Sequence, residues 1–349
     1  LSWSEIDRLL AQALADGVAP AVELWVSQEG VPLHHRRLGD ARRLPDHRPL
    51  TASTRFDLAS LTKPLVGTAV ACALVDAGAL RFGLPVTEVL PDAPAHVTVA
   101  HLLSHSSGYP AWLPLYEGKT AWGTAATRDA ILAEATGVSL THAPGTAHTY
   151  SDLGFLVLCR VLEAVGGDRL DRVWQRRVAG PAGWTGLSWG AADAVATEDC
   201  PVRGRVIEGE VHDLNAAAMG GVSSHAGLFG TAEAVGRAGW DLLRGARGQG
   251  PLVSEALAFA WRHQGAGSHR LGWDGVSPDG SSSGRHWEPG GVGHLGFTGT
   301  SIWIAPERGV VAVLLTNRVH PSVADTRIRS LRPAVHDAIV SALAALGRW

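Results

Sequence analysis

This chain of 349 residues is short of thiols, thioethers and amines: it has three cysteines, one methionine and two lysines, Lys63 and Lys119, against 28 arginines. Cys72, Cys159 and Cys200 cannot all pair, and the first two lie in apolar runs, so buried free thiols are expected instead of a disulfide framework. An excess of one charge is missing too. A net charge of -3 and a pI near 6.6 give no electrostatic case for nucleic acid or an anionic membrane as partner. Nor is a bilayer-length run present around the most apolar stretch, because Lys63 and Asp76 bound it at 12 residues where ~20 are needed. No membrane span is therefore expected in the chain given. No secretory segment is visible either, and since the chain opens on Leu1 the compartment stays open between cytoplasm, cell envelope and secretion. What remains is 46% hydrophobic and 18% charged, a globular composition long enough to bury a large core.

Because lysine is so scarce, Ser60-Leu61-Thr62-Lys63 stands out. Residues three apart on a helix share a face, so the Lys63 amine can reach the Ser60 hydroxyl and take its proton. An arginine cannot do this, since it does not deprotonate in a protein. Pro64 is tolerated only in a first turn, which starts the helix near Ser60 and leaves the Ser60 N-H free at the positive end of the dipole. Residues 65–75 are apolar on every face, so the helix is expected to be central and buried.

Elsewhere the pattern gives a frame. Ser2 and Glu5 have capping-box spacing ahead of a helix that Gly17 stops. Residues 21–27 and 31–38 read as a hairpin around Glu29-Gly30, and 301–304 with 310–315 read as a hairpin of core strands, followed by a helix over about 324–346. Between 76 and 250 the texture is helical or irregular, with candidate helices at 99–104, 129–135 and 153–165. Residues 278–284 form a flexible-looking surface loop. These signals suggest a sheet domain built from residues 1–75 and 251–349, interrupted by a mainly helical insertion at 76–250.

Two further elements follow in order. Tyr150-Ser151-Asp152 leads into an apolar helix, where a phenol can relay a proton and Asp152 can cap. His294-Leu295-Gly296 opens a strand, and a glycine there admits close approach of another backbone. The next amide, that of Phe297, is placed to join the Ser60 N-H as an oxyanion hole. Together the three elements resemble the motifs of the serine β-lactamase and penicillin-binding protein superfamily, in its class C and carboxylesterase-like branch: S-x-x-K, then Y-S-D, then H-x-G. Thr98 to Gly108, with Leu102-Leu103-Ser104-His105-Ser106-Ser107-Gly108, is similar to a further segment of that family, and His212-Asp213 and His225 lie in segments similar to its cell-wall-related members.

The resemblance implies an α+β, β-lactamase/transpeptidase-like fold, an antiparallel sheet flanked by helices with an inserted mainly helical region. It implies Ser60 as acylated nucleophile, Lys63 as its uncharged general base, Tyr150 as proton relay, and the Ser60 and Phe297 amides as oxyanion hole. Asp152, His294, Gly296, Trp112 and Trp287 are the expected substrate-binding positions, the two tryptophans because they lie in loops. Asp152 stands where β-lactam-hydrolysing members have an asparagine that donates a hydrogen bond, and His294 where they have a lysine. Both departures favour ester, D-amino-acid peptide or cell-wall amide substrates over β-lactams. Protonation of His294 is expected to set an acidic limb in substrate affinity. The rival reading is a penicillin-recognising or peptidoglycan-binding module that acylates slowly or only binds.

Other signals are set aside. Gly291 to Gly296 matches G-x-G-x-x-G, but a strand follows it where a dinucleotide site needs a helix, and no G-x-S-x-G elbow occurs. His34-His35, His101 with His105, and His212-Asp213 lack the base and third ligand of a catalytic zinc site, so neither metal nor cofactor is expected.

Overall fold

The computed structural model describes residues 2–263, 265 and 267–349. Its frame is a seven-stranded sheet of β1 (Ala21–Gln28), β2 (Val31–Arg42), β3 (Arg48–Pro49), β4 (Asp274–Gly275), β5 (Val292–Leu295), β6 (Ser301–Ala305) and β7 (Val310–Thr316), in the spatial order β3-β2-β1-β7-β6-β5-β4. All its pairs are antiparallel, with register such as Leu24 to Leu314 and Trp303 to Ala312. The two ends of the chain meet at the β1–β7 pair, which is why strand signals occur at both termini of the sequence.

The central strands are apolar at nearly every position because both faces of the sheet are covered. Trp25, Ile302, Ile304, Val311 and Val313 enter one core, while Val22, Leu24, Val26, Trp303 and Leu314 enter the other, as the alternation of side chains along a strand requires. Helix α1 (Trp3–Ala15), with its capping box at Ser2 and Glu5, lies with the last helix against the second face. The first face carries a helix over Ala232–Ala246. A Cβ at Gly236 would stand 2.0 Å from Trp25 Cε3, so the helix approaches the sheet more closely than any other residue allows.

The expected buried helix is present as three joined pieces: a 3-10 turn at Ala59–Leu61, a π turn at Lys63–Thr68, and α2 (Ala69–Asp76). Among the described residues, Ala59–Asp76 is the one helix long and apolar enough to cross a membrane; 78% of it is buried inside the fold, so it is a core helix. The helices expected at 99–104, 129–135 and 153–165 span Val99–Leu103, Ala125–Thr136 and, as α3, Asp152–Gly166. All three cysteines are buried and unpaired.

The stretch from 76 to 250 differs from its expected texture in holding four short strands, Leu187–Trp189, Ala196–Cys200, Arg205–Glu208 and Leu228–Gly230. Two of them complete a small sheet with Phe56–Asp57, three residues before Ser60. The chain ends on a helix over Ile328–Ala345.

Candidate active site

Ser60 sits on a turn held from three directions. Asp57 Oδ1 accepts the Ala59 N-H at 2.8 Å, and Ala59 takes a left-handed φ of 48°. Thr298 and Thr300, beyond β5, donate their hydroxyls to the Asp57 and Leu58 carbonyls at 2.7 and 3.0 Å. Gly296 closes the contact: a Cβ there would stand 2.0 Å from Thr300 Oγ1 and 2.6 Å from the Leu58 carbonyl oxygen. The glycine of the H-x-G element thus admits the backbone of the nucleophile's own turn. Among the described residues, neither the Ser60 nor the Phe297 N-H donates to a protein acceptor, which leaves two amides beside one cavity for an oxyanion.

Lys63 Nζ donates to Ser60 Oγ at 2.9 Å, as the three-residue spacing requires. The amine is fully buried, yet it is not uncharged as expected. It also donates to Asp152 Oδ1 at 2.6 Å. Burial pulls its pKa down, but Asp152 and the Tyr150 oxygen outweigh burial and hold Lys63 above the usual lysine range. The resting site is therefore an ammonium–carboxylate pair.

Asp152 is accordingly not the cap of α3. Ser151 is, its hydroxyl accepting the Gly154 N-H at 2.9 Å, and this frees the Asp152 carboxylate for Lys63. Tyr150 lies with its ring centroid 4.7 Å from Lys63 Nζ. Tyr150 is 36% exposed and lines the cavity; burial raises the phenol pKa more than Lys63 and Ser60 lower it, so the group stays protonated.

Two cavities meet at Ser60, and Tyr150, Asp152 and Phe297 line both. The larger, about 610 Å³, adds His294, Gly296, Arg318, Arg329 and Arg332. The smaller, about 390 Å³, adds Trp112, Glu198, His212, Asp213 and His225. In the smaller one the polar groups answer each other: His212 meets Glu198 at 3.1 Å and His225 meets Asp213 at 3.0 Å, while Trp112 and Phe297 are exposed.

Of the two tryptophans expected to line the cleft, Trp112 lines a cavity at Ser60, whereas Trp287 borders only a neighbouring hollow that shares Leu295, Arg329 and Arg332 with the larger of the two. Trp287 is buried in the second core between His336 and Trp349, its indole N-H 3.4 Å from the Ile304 carbonyl. A loop position does not make a tryptophan a cleft wall when a β-strand and the last helix enclose it.

His294 lines the larger cavity but is almost wholly buried, and burial, then the nearby Lys63 charge, drives its pKa down to about 3. The expected acidic limb in substrate affinity is thereby corrected: His294 stays neutral throughout the range where it was to titrate. The consequence moves to stability. His294 and His336, the latter held by burial to about 4, are neutral when folded and basic when unfolded. Both folded values lie below the unfolded one, so their contribution is complete above pH ~6.5 and is lost as pH falls towards 4 and then 3. Urea unfolding at pH 7.5 and 5.5 is expected to differ by about 3 kcal/mol, with the acid sample weaker. Equal midpoints at the two pH values would contradict it.

Sequence reasoning missed Glu198, His269, Asp274 and the arginines of the larger cavity. Arg329 and Arg332, three apart on the last helix, carried a usable signal. Arg332 has no carboxylate partner among the described residues and donates to the Gly296 and Thr300 carbonyls at 2.7 and 2.9 Å. Burial, then Arg318 and Arg329, push its pKa down to about 9.

The family model described as Beta-lactamase matches residues 6–335. An Escherichia coli (strain K12) protein provisionally named as a D-alanyl-D-alanine carboxypeptidase is 27% identical over 92% of this chain and 83% of its own. Esterase EstB of Burkholderia gladioli is 29% identical over 95% of each chain. Among solved structures, EstCE1, a hydrolase with promiscuous acyltransferase activity, superposes with a TM-score of 0.76 at 22% identity, over 95% of this chain and 98% of that one.

Proposed function

From the premise that this chain belongs to the beta-lactamase family and is a serine hydrolase, we propose that it works through an acyl-enzyme on Ser60, with ester or D-amino-acid amide donors preferred to β-lactams. The observation that carries this reading is the continuous contact from Ser60 Oγ through Lys63 Nζ to Asp152 Oδ1, at 2.9 and 2.6 Å.

In the proposed cycle, entry of substrate strips water from the site, and Lys63 passes a proton to Asp152. The neutral amine then takes the Ser60 proton as Oγ bonds to the carbonyl carbon. The carbonyl electron pair moves to an oxygen held by the Ser60 and Phe297 N-H groups. Collapse restores the carbonyl and expels the leaving group, which takes the Tyr150 phenol proton while Lys63 replaces it. Water repeats the sequence in reverse and frees the acid.

The preference against β-lactams rests on Asp152. The carboxylate that meets an incoming substrate, before any proton has passed from Lys63, accepts hydrogen bonds and is occupied by Lys63, so at the binding step it offers no donor to an acylamino side chain. Acid-quenched mixtures with p-nitrophenyl acetate are expected to show protein heavier by one acetyl group, mapped to the Ser60 peptide. Nitrocefin is expected to turn over at least about 100-fold less well by kcat/KM. An acetyl group on another residue, or nitrocefin as the better substrate, would overturn the proposal.

A further inference from the structure

We infer that His105 is a positioning residue for the proposed reaction: it grips the backbone on both sides of Tyr150 and so fixes the phenol against Lys63 and Ser60. This rests on the role proposed for Tyr150. The Thr149 N-H donates to the His105 carbonyl at 2.9 Å, and the Ser151 N-H donates to His105 Nδ1 at 3.0 Å. Between these two bonds the Tyr150 ring lies on the imidazole, with centroids 4.4 Å apart and planes inclined by 36°. One residue thus holds Tyr150 by its main chain on one flank, by its side chain on the other, and by ring contact in the middle.

The backbone of His105 is bent to make this possible. Its φ is 58°, the left-handed region that non-glycine residues seldom enter, and this turns the carbonyl and the side chain towards the same neighbouring strand of chain. Strain of that kind persists only where surrounding contacts impose it, and it concentrates at working sites. Here the ring is 2% exposed, walled by Phe155 at 5.1 Å and by His269 edge-on at 5.5 Å.

The protonation state agrees with the geometry. A backbone N-H can only donate, so Nδ1 must be bare, and a neutral ring then carries its proton on Nε2. Burial, followed by the Lys63 charge, keeps His105 well below the usual histidine range, so the acceptor survives at neutral pH.

General anchoring of the segment does not need His105. Ser151 Oγ donates to the Pro110 carbonyl at 2.7 Å, the Asp152 N-H to the Ala111 carbonyl at 2.9 Å, and the Gly145 N-H to the Ser106 carbonyl at 2.8 Å. Those bonds dock residues 145–152 on 106–111, whereas the main-chain bonds immediately either side of Tyr150 go to His105; the Tyr150 ring also lies 6.1 Å from His294 and 6.3 Å from His269, farther than the 4.4 Å to His105. The stretch from Thr98 to Gly108 thereby acquires a task that its resemblance to other sequences did not specify.

The test is a mutant cycle read by steady-state kinetics with an ethyl ester, whose alkoxide leaving group needs the proton that Tyr150 is proposed to give. His105→Gly keeps the left-handed backbone and the carbonyl but deletes the ring and its acceptor. It is expected to lower kcat about 10- to 100-fold with KM little changed, as misplacement of a proton-transfer group does. His105→Asn, which tolerates the same φ and offers Oδ1 near the place of Nδ1, is expected to recover kcat to within about threefold. In a Tyr150→Phe background His105→Gly is expected to cost nothing more, because the group it positions is already gone. A loss of the same size in that background, or wild-type kcat in folded His105→Gly, would overturn the inference. So would a large loss of kcat in folded His105→Asn, which decides the matter if the glycine variant does not fold. Full activity in Tyr150→Phe alone would instead remove the role proposed for Tyr150, and the inference with it.

Discussion

Ser60→Ala is expected to lower kcat for p-nitrophenyl acetate by on the order of 10⁴- to 10⁶-fold, the range found when a nucleophile acting within a concerted unit is removed. The size follows from how few alternatives the site offers. Lys63 is fully buried and donates to Asp152, so it is not free to attack a carbonyl itself. Tyr150 is held protonated by burial, which makes it a poor nucleophile at neutral pH. Removing one hydroxyl should leave the fold intact, because the turn is fixed by Asp57, Thr298 and Thr300 through main-chain atoms. Circular dichroism and the thermal midpoint are expected to match wild type while turnover disappears. Substantial residual hydrolysis in the folded variant would point to a different nucleophile.

The site could be read in part from sequence because its chemistry is local. Ser60 and Lys63 are one turn apart, and their contact depends on little beyond helical spacing, so the pattern and the 2.9 Å distance agree. The hairpin of β6 and β7 was legible for a similar reason, its apolar runs being separated only by a short turn at residues 306–309. The Lys63–Asp152 pair was not, because 89 positions separate the partners and a carboxylate following Ser151 at a helix start reads first as a cap. Which of two adjacent polar residues caps and which turns inward is decided by what waits inside. Here that is a buried amine that needs a counter-charge.

The short strands at 187–189 and 228–230 escaped for the same reason at the level of the backbone. Leu187 pairs with Gly230, and Gly230 also faces Phe56, so each three-residue strand exists by virtue of partners far along the chain. Trp287 shows the converse error. Its sequence neighbours are loop-like, but the walls around it come from β6 and the end of the chain. Residues whose surroundings are contributed by distant segments are the ones that single-sequence patterns place badly.

Asp152→Ala is the sharpest test of the charged resting state. Removal of the carboxylate leaves Lys63 without its counter-charge in a fully buried position, and breaking such a pair destabilises by about 3 kcal/mol at pH 7. The pH dependence identifies the cause. In the wild type Lys63 lies above its unfolded value, so the pair's contribution is complete below pH ~10.4 and is lost only as pH rises through the folded value. In the variant only the Tyr150 contacts still oppose burial, which is the largest single influence on Lys63, and burial then pulls Lys63 below that unfolded value. The native state then binds fewer protons than the unfolded chain, so stability of the variant rises with pH between about 7 and 10. The gap between wild type and Asp152→Ala in urea unfolding should therefore narrow as pH increases. Activity at pH 7 should fall, since Lys63 loses the carboxylate that orients its amine against Ser60, and should recover in part as pH rises and the amine becomes neutral without an acceptor, whereas Asp152→Glu should retain part of it at pH 7. A gap that stays constant from pH 7 to 10 would mean that Lys63 is already neutral in the native protein, and the pairing that underlies the proposed cycle would have to be abandoned.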